Sequence, residues 1–319
     1  MLSIDFAPLE GLTDALYRRV HRGAFGGVRK YYMPFVSPSR SLSFTSRQQW
    51  DISPAANGGM PAVPQILAKD AELFLDMAAL LRDAGYPEVN LNLGCPSGTV
   101  TAKGKGAGML RDLDALRRFL DAVYARSPLP VSLKTRIGYD DAGQWPALLD
   151  LIVQYPVHEW ILHPRTCRDF YHGAPHRACY GEALARAPFP VIYNGDLFTV
   201  SETRAFLLAY PHAPGIMLGR GLAVNPALAQ AAQGGPALTL DALITFHDRL
   251  LTAYARDWPA GAAVGRMHGI MAYLTQALDC PEPARRRLRR STTLDQYTDA
   301  AADLFRASAV LPEPRFTPP

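Results

Sequence analysis

The chain has few charged residues, few cysteines and no long hydrophobic run, and each shortage excludes a class of protein. Charged side chains make up 19% of its 319 residues and apolar ones 48%, a balance too apolar for a disordered chain. No stretch reaches the roughly 18 apolar residues of a membrane span, and residues 1–5 lack the basic start and apolar run of a signal peptide. We therefore expect a cytoplasmic protein with one large globular domain and a smaller appendage.

The four cysteines, Cys95, Cys167, Cys179 and Cys280, lie too far apart in sequence for a CxxC metal site. A chain of this length needs no disulfide bond to hold its core together. We therefore expect free thiols, a reducing compartment and no metal centre. The net charge of +4 permits an anionic partner without requiring one.

Short apolar runs alternate with amphipathic segments along the first two thirds of the chain. Most of the runs follow one another at steps of roughly 30 residues, the length of one strand and helix unit. The step from Asn92 to Lys134 is longer and contains a glycine-rich segment, which indicates a functional loop. The eight runs are residues 4–8, 31–36, 62–67, 89–93, 131–135, 160–163, 191–194 and 216–218.

Eight strand and helix units favour an α/β fold closed into a (β/α)8 TIM barrel, although an open doubly wound sheet gives the same alternation. After residues 233–236, which read QGGP, no β-branched run follows and the periodicity is helical over 240–255, 264–278 and 294–304. We predict a barrel domain over residues 1–235 and an all-helical domain over residues 236–319.

Polar side chains end five of the predicted strands. Catalytic groups of a barrel come from the C-terminal ends of its strands, so we expect these side chains to meet at one rim. They are Gln65, Asn92, Lys134, His163 and Asn194.

Cys95 follows the fourth strand between Gly94 and Pro96, which place it on a tight turn at this rim. A catalytic role and a role as a small buried hydrophobic residue both remain open. His163 is likewise either a hydrogen-bonded core residue or a catalytic one.

Lys134 lies in an otherwise apolar strand and therefore needs an anionic partner. The negative pyrimidine edge of a reduced flavin is one candidate, and an unidentified carboxylate is the other. The loops after strands seven and eight, residues 194–196 (NGD) and 219–221 (GRG), match the usual phosphate site of such barrels.

Taken together, these motifs resemble the tRNA-dihydrouridine synthase family from one end of the barrel to the other. The resemblance implies FMN as cofactor, a nicotinamide nucleotide (usually NADPH, or else NADH) as reductant, and reduction of the 5,6 double bond of specific uridines in tRNA. It rests on APLEGLTD at residues 7–14, Gln65, NLGCPS at 92–97, KTRIG at 134–138, HPRT at 163–166, NGD at 194–196 and GRG at 219–221.

The resemblance also implies roles for individual residues. Hydride from reduced flavin is delivered to carbon 6 of uracil, Asn92 orients the base, and Cys95 protonates carbon 5 as general acid. The target uridine must leave its stack to reach the flavin. The isoalloxazine ring is expected at Ala7, Pro8, Gln65, Lys134 and His163, and the ribityl and phosphate groups at Asn194, Gly195, Asp196, Gly219 and Arg220.

Further substrate contacts are expected from four basic residues. Arg165 follows His163 in HPRT, where many family members have HGRT, and Lys103 and Lys105 lie in the glycine-rich loop. These two lysines either bind a phosphate group of the RNA near the target base or are exposed, mobile charges. Arg286 belongs to the arginine run at residues 285–290, which is either a solvated helix face or a phosphate-binding surface of an RNA-binding helical domain.

Three other functions remain open. The protein could be an FMN-dependent barrel reductase of a free small molecule, of the dihydroorotate or enoate type, or a dihydrouridine synthase that acts on ribosomal RNA. It could also be an RNA-binding protein with a disused barrel. The sequence indicates no obligate protein partner and leaves the oligomeric state open.

Overall fold

A parallel sheet of nine strands forms the centre of the molecule in the computed structural model, which describes residues 3–40 and 44–317. The strands are β1 (Ser3–Phe6), β2 (Tyr31–Tyr32), β3 (Ala62–Val63), β4 (Gln65–Ile66), β5 (Val89–Leu93), β6 (Val131–Thr135), β7 (Trp160–Leu162), β8 (Val191–Asn194) and β9 (Gly215–Leu218). They are ordered β3-β2-β1-β9-β8-β7-β6-β5-β4.

The sheet closes into a barrel at the third predicted strand. This strand is divided into β3 and β4 by Pro64, which has no backbone N–H to donate to a neighbouring strand. β3 pairs with β2 and β4 pairs with β5, and an isolated bridge between Val36 and Ile66 joins the two sides. The nine short strands therefore form eight barrel positions, which confirms the predicted TIM barrel.

Helices surround the barrel and continue beyond it. They are α1 (Ala15–Ala24), α2 (Ser46–Asp51), α3 (Pro54–Asn57), α4 (Ala71–Asp83), α5 (Gly98–Thr101), α6 (Leu113–Arg126), α7 (Trp145–Ile152), α8 (Arg177–Arg186), α9 (Val200–Ala209), α10 (Arg220–Val224), α11 (Leu228–Ala232), α12 (Leu240–Asp257), α13 (Ala260–Leu274), α14 (Glu282–Arg290) and α15 (Leu294–Arg306). Short 3-10 helices lie at Gly106–Arg111, Ala142–Gln144 and Thr275–Ala277.

Local sequence explains why several of these helices begin where they do. The side chain of Asp70 accepts hydrogen bonds from the first backbone N–H groups of α4, and Thr199 with Glu202 forms a capping box at the start of α9. α4 buries Phe74 and Met77 and exposes its polar face. Each such helix therefore covers the barrel with one apolar side.

The C-terminal helices pack directly on the barrel. Phe246 of α12 lies edge-on against Tyr17 and Phe25, with ring centroids 5.6 and 5.3 Å apart. The hydroxyl of Tyr254 donates to Asp14, the N-cap of α1, at 2.7 Å. An antiparallel pair of two-residue strands, β10 (Leu278–Asp279) and β11 (Ala309–Val310), accompanies these helices. The described residues include no helix with the length and hydrophobicity that a bilayer crossing requires.

Candidate active site

A cavity of about 530 Å³ opens at the C-terminal ends of the barrel strands, a size typical of small-molecule and cofactor sites. The structure brings twelve of the residues singled out from the sequence into its lining. They are Ala7, Pro8, Gln65, Asn92, Cys95, Lys134, His163, Asn194, Gly195, Asp196, Gly219 and Arg220.

A chain of buried amides fixes one wall of the cavity. The side-chain amide of Asn90 donates to the hydroxyl of Ser132, and its side-chain carbonyl oxygen accepts from the amide of Gln65 at 2.8 Å. The side-chain carbonyl oxygen of Gln65 accepts from the amide of Asn92 at 2.7 Å. The Oδ1 atom of Asn92 also accepts from the backbone N–H of Cys95 at 2.9 Å. Because each amide has one orientation that satisfies its neighbours, Asn92 gives one Nδ2 hydrogen to Gln65, and the part of the chain that the structure describes provides no acceptor for the second.

The Cys95 thiol lies two residues beyond β5, on a turn held from two sides. The backbone N–H of Cys95 donates to Asn92, and the backbone carbonyl oxygen of Cys95 accepts from the N–H of Ala107 at 3.1 Å. Gly106, with φ of 56°, allows this approach, because a Cβ there would lie 3.0 Å from the Cys95 carbonyl oxygen. Burial raises the pKa of Cys95, and the charges of Lys134 and Arg136 only partly oppose that effect. The side chain therefore stays a thiol at neutral pH.

The lining of the cavity includes the side chain of Lys134. Within residues 3–40 and 44–317 no ion pair joins it to an acidic side chain, so the structural ion pair left open by the sequence is not found there. Burial, followed by the nearby charge of Arg136, lowers the pKa of Lys134 to about 8. An anionic group bound in the cavity would compensate this cost.

His163 and Arg165 are neighbours on the same wall. The Nη1 of Arg165 donates to Nε2 of His163 at 3.2 Å. An arginine can only donate, so the neutral imidazole carries its proton on Nδ1. Burial and four surrounding arginine and lysine charges lower the pKa of His163 well below its usual range, and the ring is therefore neutral.

The far end of the cavity is built around Asp196. Its carboxylate pairs with Arg165 and, at 2.6 Å, with Arg220. Side chains are excluded next to it, because a Cβ on Gly195 would collide with the Tyr193 hydroxyl and one on Gly221 would lie 2.5 Å from the Leu197 carbonyl oxygen. The backbone of these loops is thus open to a bound anion.

Four residues expected to contact substrate, Arg165, Lys103, Lys105 and Arg286, lie outside the cavity lining. Arg165 is fully buried, and its guanidinium donates to the backbone carbonyls of His172 and Gly173 as well as to Asp196. Lys105 donates to Ser37 at 2.6 Å, and its pKa is lowered by burial and by its neighbours Lys103 and Lys69. Arg286 is an exposed residue of α14.

The cavity also contains side chains that were not singled out from the sequence. Glu10 and Arg136 stood inside the quoted motifs, so the motifs could have identified them. Aromatic residues had no such signal, because they come from segments distant in sequence. The guanidinium of Arg220 lies 4.7 Å from the ring centroid of Tyr171 and 4.9 Å from that of Phe316 in the C-terminal segment.

Arg136 ties two of the cavity loops together. Its Nε donates to the Gly94 carbonyl at 2.9 Å, and its Nη1 donates to the Thr166 carbonyl at 2.6 Å. The turn that carries Cys95 is thereby connected to the loop after β7.

Comparison with known proteins identifies the family of the chain. The family model described as dihydrouridine synthase (Dus) matches residues 5–247. A probable tRNA-dihydrouridine synthase of Rhodobacter capsulatus is 28% identical, covering 90% of this chain and 89% of the relative. A tRNA-dihydrouridine(16) synthase of Pseudomonas syringae pv. tomato is 26% identical, covering 93% and 97%.

Among solved structures, morphinone reductase superposes with a TM-score of 0.51 at 14% identity, over 77% of this chain and 88% of the other, and so supports the barrel fold. The family match confirms both the resemblance and the enzyme class that the sequence motifs predicted: the chain belongs to the dihydrouridine synthase family of enzymes.

Proposed function

We propose that this protein reduces the 5,6 double bond of specific uridines in tRNA to give dihydrouridine, with bound FMN and with NADPH or NADH as reductant. The observation that carries the proposal is the placement in one cavity of the Cys95 thiol and the Lys134 ammonium group, which has no ion pair within residues 3–40 and 44–317. Relatives that match over most of their length are named as tRNA-dihydrouridine synthases, which supports tRNA as the substrate class. With that substrate we also propose a cytoplasmic location.

The residues of the cavity fit FMN. The ammonium group of Lys134 needs a negative partner, and the pyrimidine edge of a reduced flavin supplies one. At the other end, Arg220 and the loops at Gly195 and Gly219 offer a cation and accessible backbone to a phosphate. When bound, FMN supplies the hydride that is added to carbon 6 of the uracil ring.

The chain's own side chains complete the reaction. Cys95 donates its proton to carbon 5 as hydride reaches carbon 6, and the resulting thiolate regains a proton from solvent. Asn92 donates its second Nδ2 hydrogen to a uracil carbonyl oxygen. His163 offers Nδ1–H as a donor, and the hydrogen bond to Gln65 fixes the orientation of the Asn92 side chain.

We also propose that residues 236–319 are the RNA-binding part of the protein, attached to a catalytic barrel over residues 1–235. The arginine run of α14 divides into two groups. Arg285 donates to backbone carbonyls, and Arg287 and Arg289 pair with carboxylates. Arg286 and Arg290 have no ion pair within the described residues, so they are the members we expect to contact phosphate.

The purified protein tests the cofactor assignment directly. We expect a yellow protein with the absorbance of FMN, and a colourless protein that does not bind added FMN would contradict the proposal. Incubation with NADPH and unmodified tRNA should then yield nucleosides two hydrogens heavier than uridine by mass spectrometry. Ribosomal RNA, dihydroorotate and enoates are the parallel substrates, and a product from one of them alone would select an alternative function.

Surface substitutions test the RNA-binding role better than deletion of the helices. Deletion would expose the barrel residues that pack against Phe246. Replacing Arg286 and Arg290 with Gln should weaken tRNA binding and reduce the slope of log affinity against log salt by about one for each phosphate that is no longer bound. Arg126→Gln on α6, where the arginine pairs with Glu72, is the control of the same kind of charge change.

A further inference from the structure

Phe170 has a backbone conformation that a phenylalanine rarely adopts. It lies in the loop between β7 and α8 with φ of 50°, in the left-handed region that favours glycine. The residue is 45% exposed and lines the cavity. The loop therefore holds a large apolar ring at the cavity mouth despite both backbone strain and exposure to water.

The surrounding loop is too firmly held to relieve this strain. Thr166 and Asp169 exchange hydrogen bonds of 2.7 and 3.2 Å, and the N–H of Phe170 donates to the Cys167 carbonyl at 3.1 Å. The buried Arg165 clamps the far side of the loop through two backbone carbonyls. Strain that persists in an over-determined loop is typical of functional positions.

The ring of Phe170 has no aromatic or cationic partner within residues 3–40 and 44–317. The neighbouring Tyr171 differs, because it stacks with His163 and lies under the guanidinium groups of Arg136 and Arg220. Phe170 is also absent from the hydrophobic core. A free face of this kind suits a planar, apolar surface that arrives from outside.

We propose that Phe170 stacks on a nucleobase of the RNA substrate, next to the uridine that enters the cavity. The inference rests on the proposed function. A base flipped out of RNA loses its stacking, and its neighbours lose theirs on one side. Base stacking on an aromatic side chain restores part of that loss and is independent of base identity. Phe170 is thus a substrate-positioning residue at the entrance rather than a core residue.

The test separates backbone strain from stacking. Phe170→Gly removes the ring and relaxes the backbone, whereas Phe170→Ala removes the ring but keeps the strain. Both should raise KM for tRNA on the order of tenfold, with kcat, FMN content and KM for NADPH unchanged. Phe170→Gly should melt at the same temperature as the wild type or higher. Phe170→Tyr and Phe170→Trp should retain the wild-type KM, and Leu208→Ala, at an exposed apolar position of α9, is the control.

Each outcome decides a different question. If wild-type protein forms dihydrouridine in tRNA and Phe170→Gly keeps the wild-type KM, the stacking role is wrong while the proposed function stands. A change in KM for NADPH without one for tRNA also overturns it, because the ring would then serve the reductant. If the wild-type protein forms no dihydrouridine in any RNA, both proposals fail together.

Discussion

Replacing Lys134 with methionine should stabilise the FMN-free protein. The pKa of Lys134 falls from 10.5 in water to about 8 in the fold because its charged form is desolvated beside Arg136. Since a tenfold change in a protonation equilibrium is about 1.4 kcal/mol, the charge costs the folded state up to about 3 kcal/mol. Methionine has a similar length and no charge. The Lys134→Met variant should therefore gain up to about 3 kcal/mol in free energy of unfolding at pH 7.

The gain should depend on pH in one direction. Lys134 has a lower pKa in the folded than in the unfolded state, so its penalty is complete below pH 8 and disappears as the pH rises through 10.5. The difference between variant and wild type should thus shrink to less than half of its neutral value at about pH 9.5. Urea unfolding of FMN-free protein at the two pH values measures both quantities.

A control variant and a measurement with added FMN complete the test. Lys30→Met is the matched control, because Lys30 lies 2.6 Å from Glu88 and its loss should destabilise the protein by removing the lysine partner of a buried carboxylate. Added FMN should stabilise the wild type more than Lys134→Met, since the variant has no cation to pair with the flavin. A Lys134→Met protein that is less stable than the wild type at pH 7, or equally stabilised by FMN, would refute the reasoning.

Three more substitutions test other parts of the site. Cys95→Ala should keep FMN and tRNA binding and lose most turnover, and full activity of this variant would show that Cys95 is not the proton donor. The kcat of the wild type should fall only above the raised pKa of the thiol, because deprotonation removes the proton donor. Asn90→Leu should lower the free energy of unfolding by about 3 kcal/mol in urea, because Gln65 loses its buried acceptor; unchanged stability would mean that the amide chain is not needed. Asp196→Asn should cost about 2 kcal/mol by leaving Arg165 without its charged partner, as thermal unfolding can check.

Strand-end residues were predictable because a barrel repeats one local pattern. Gln65, Asn92, Lys134 and His163 each follow an apolar run, and parallel strands must present their C-terminal ends at one rim. The motif order also indicated the dihydrouridine synthase family without any coordinates. What the pattern missed was the division of the third strand at Pro64, although the proline itself was visible.

The role of a basic residue was less predictable than its position. Arg165 was expected to contact the substrate, and the fold instead buries its guanidinium against the backbone carbonyls of its own loop. The arginine run looked uniform, and the fold divides it into paired and unpaired members. The sequence does not indicate which carboxylate or carbonyl group of another element will pair with a given arginine side chain.

The sequence by itself determined the repeating strand and helix units, the polar residues at the strand ends and the family, because these depend on periodicity and local order. Only the tertiary structure decided that Lys134 has no carboxylate beside it within the described residues and that Phe316, from the other end of the chain, lies against Arg220. It also decided that Phe170 is held in a strained conformation. Contacts between distant segments depend on how the helices pack around the closed barrel, and no local pattern encodes that geometry.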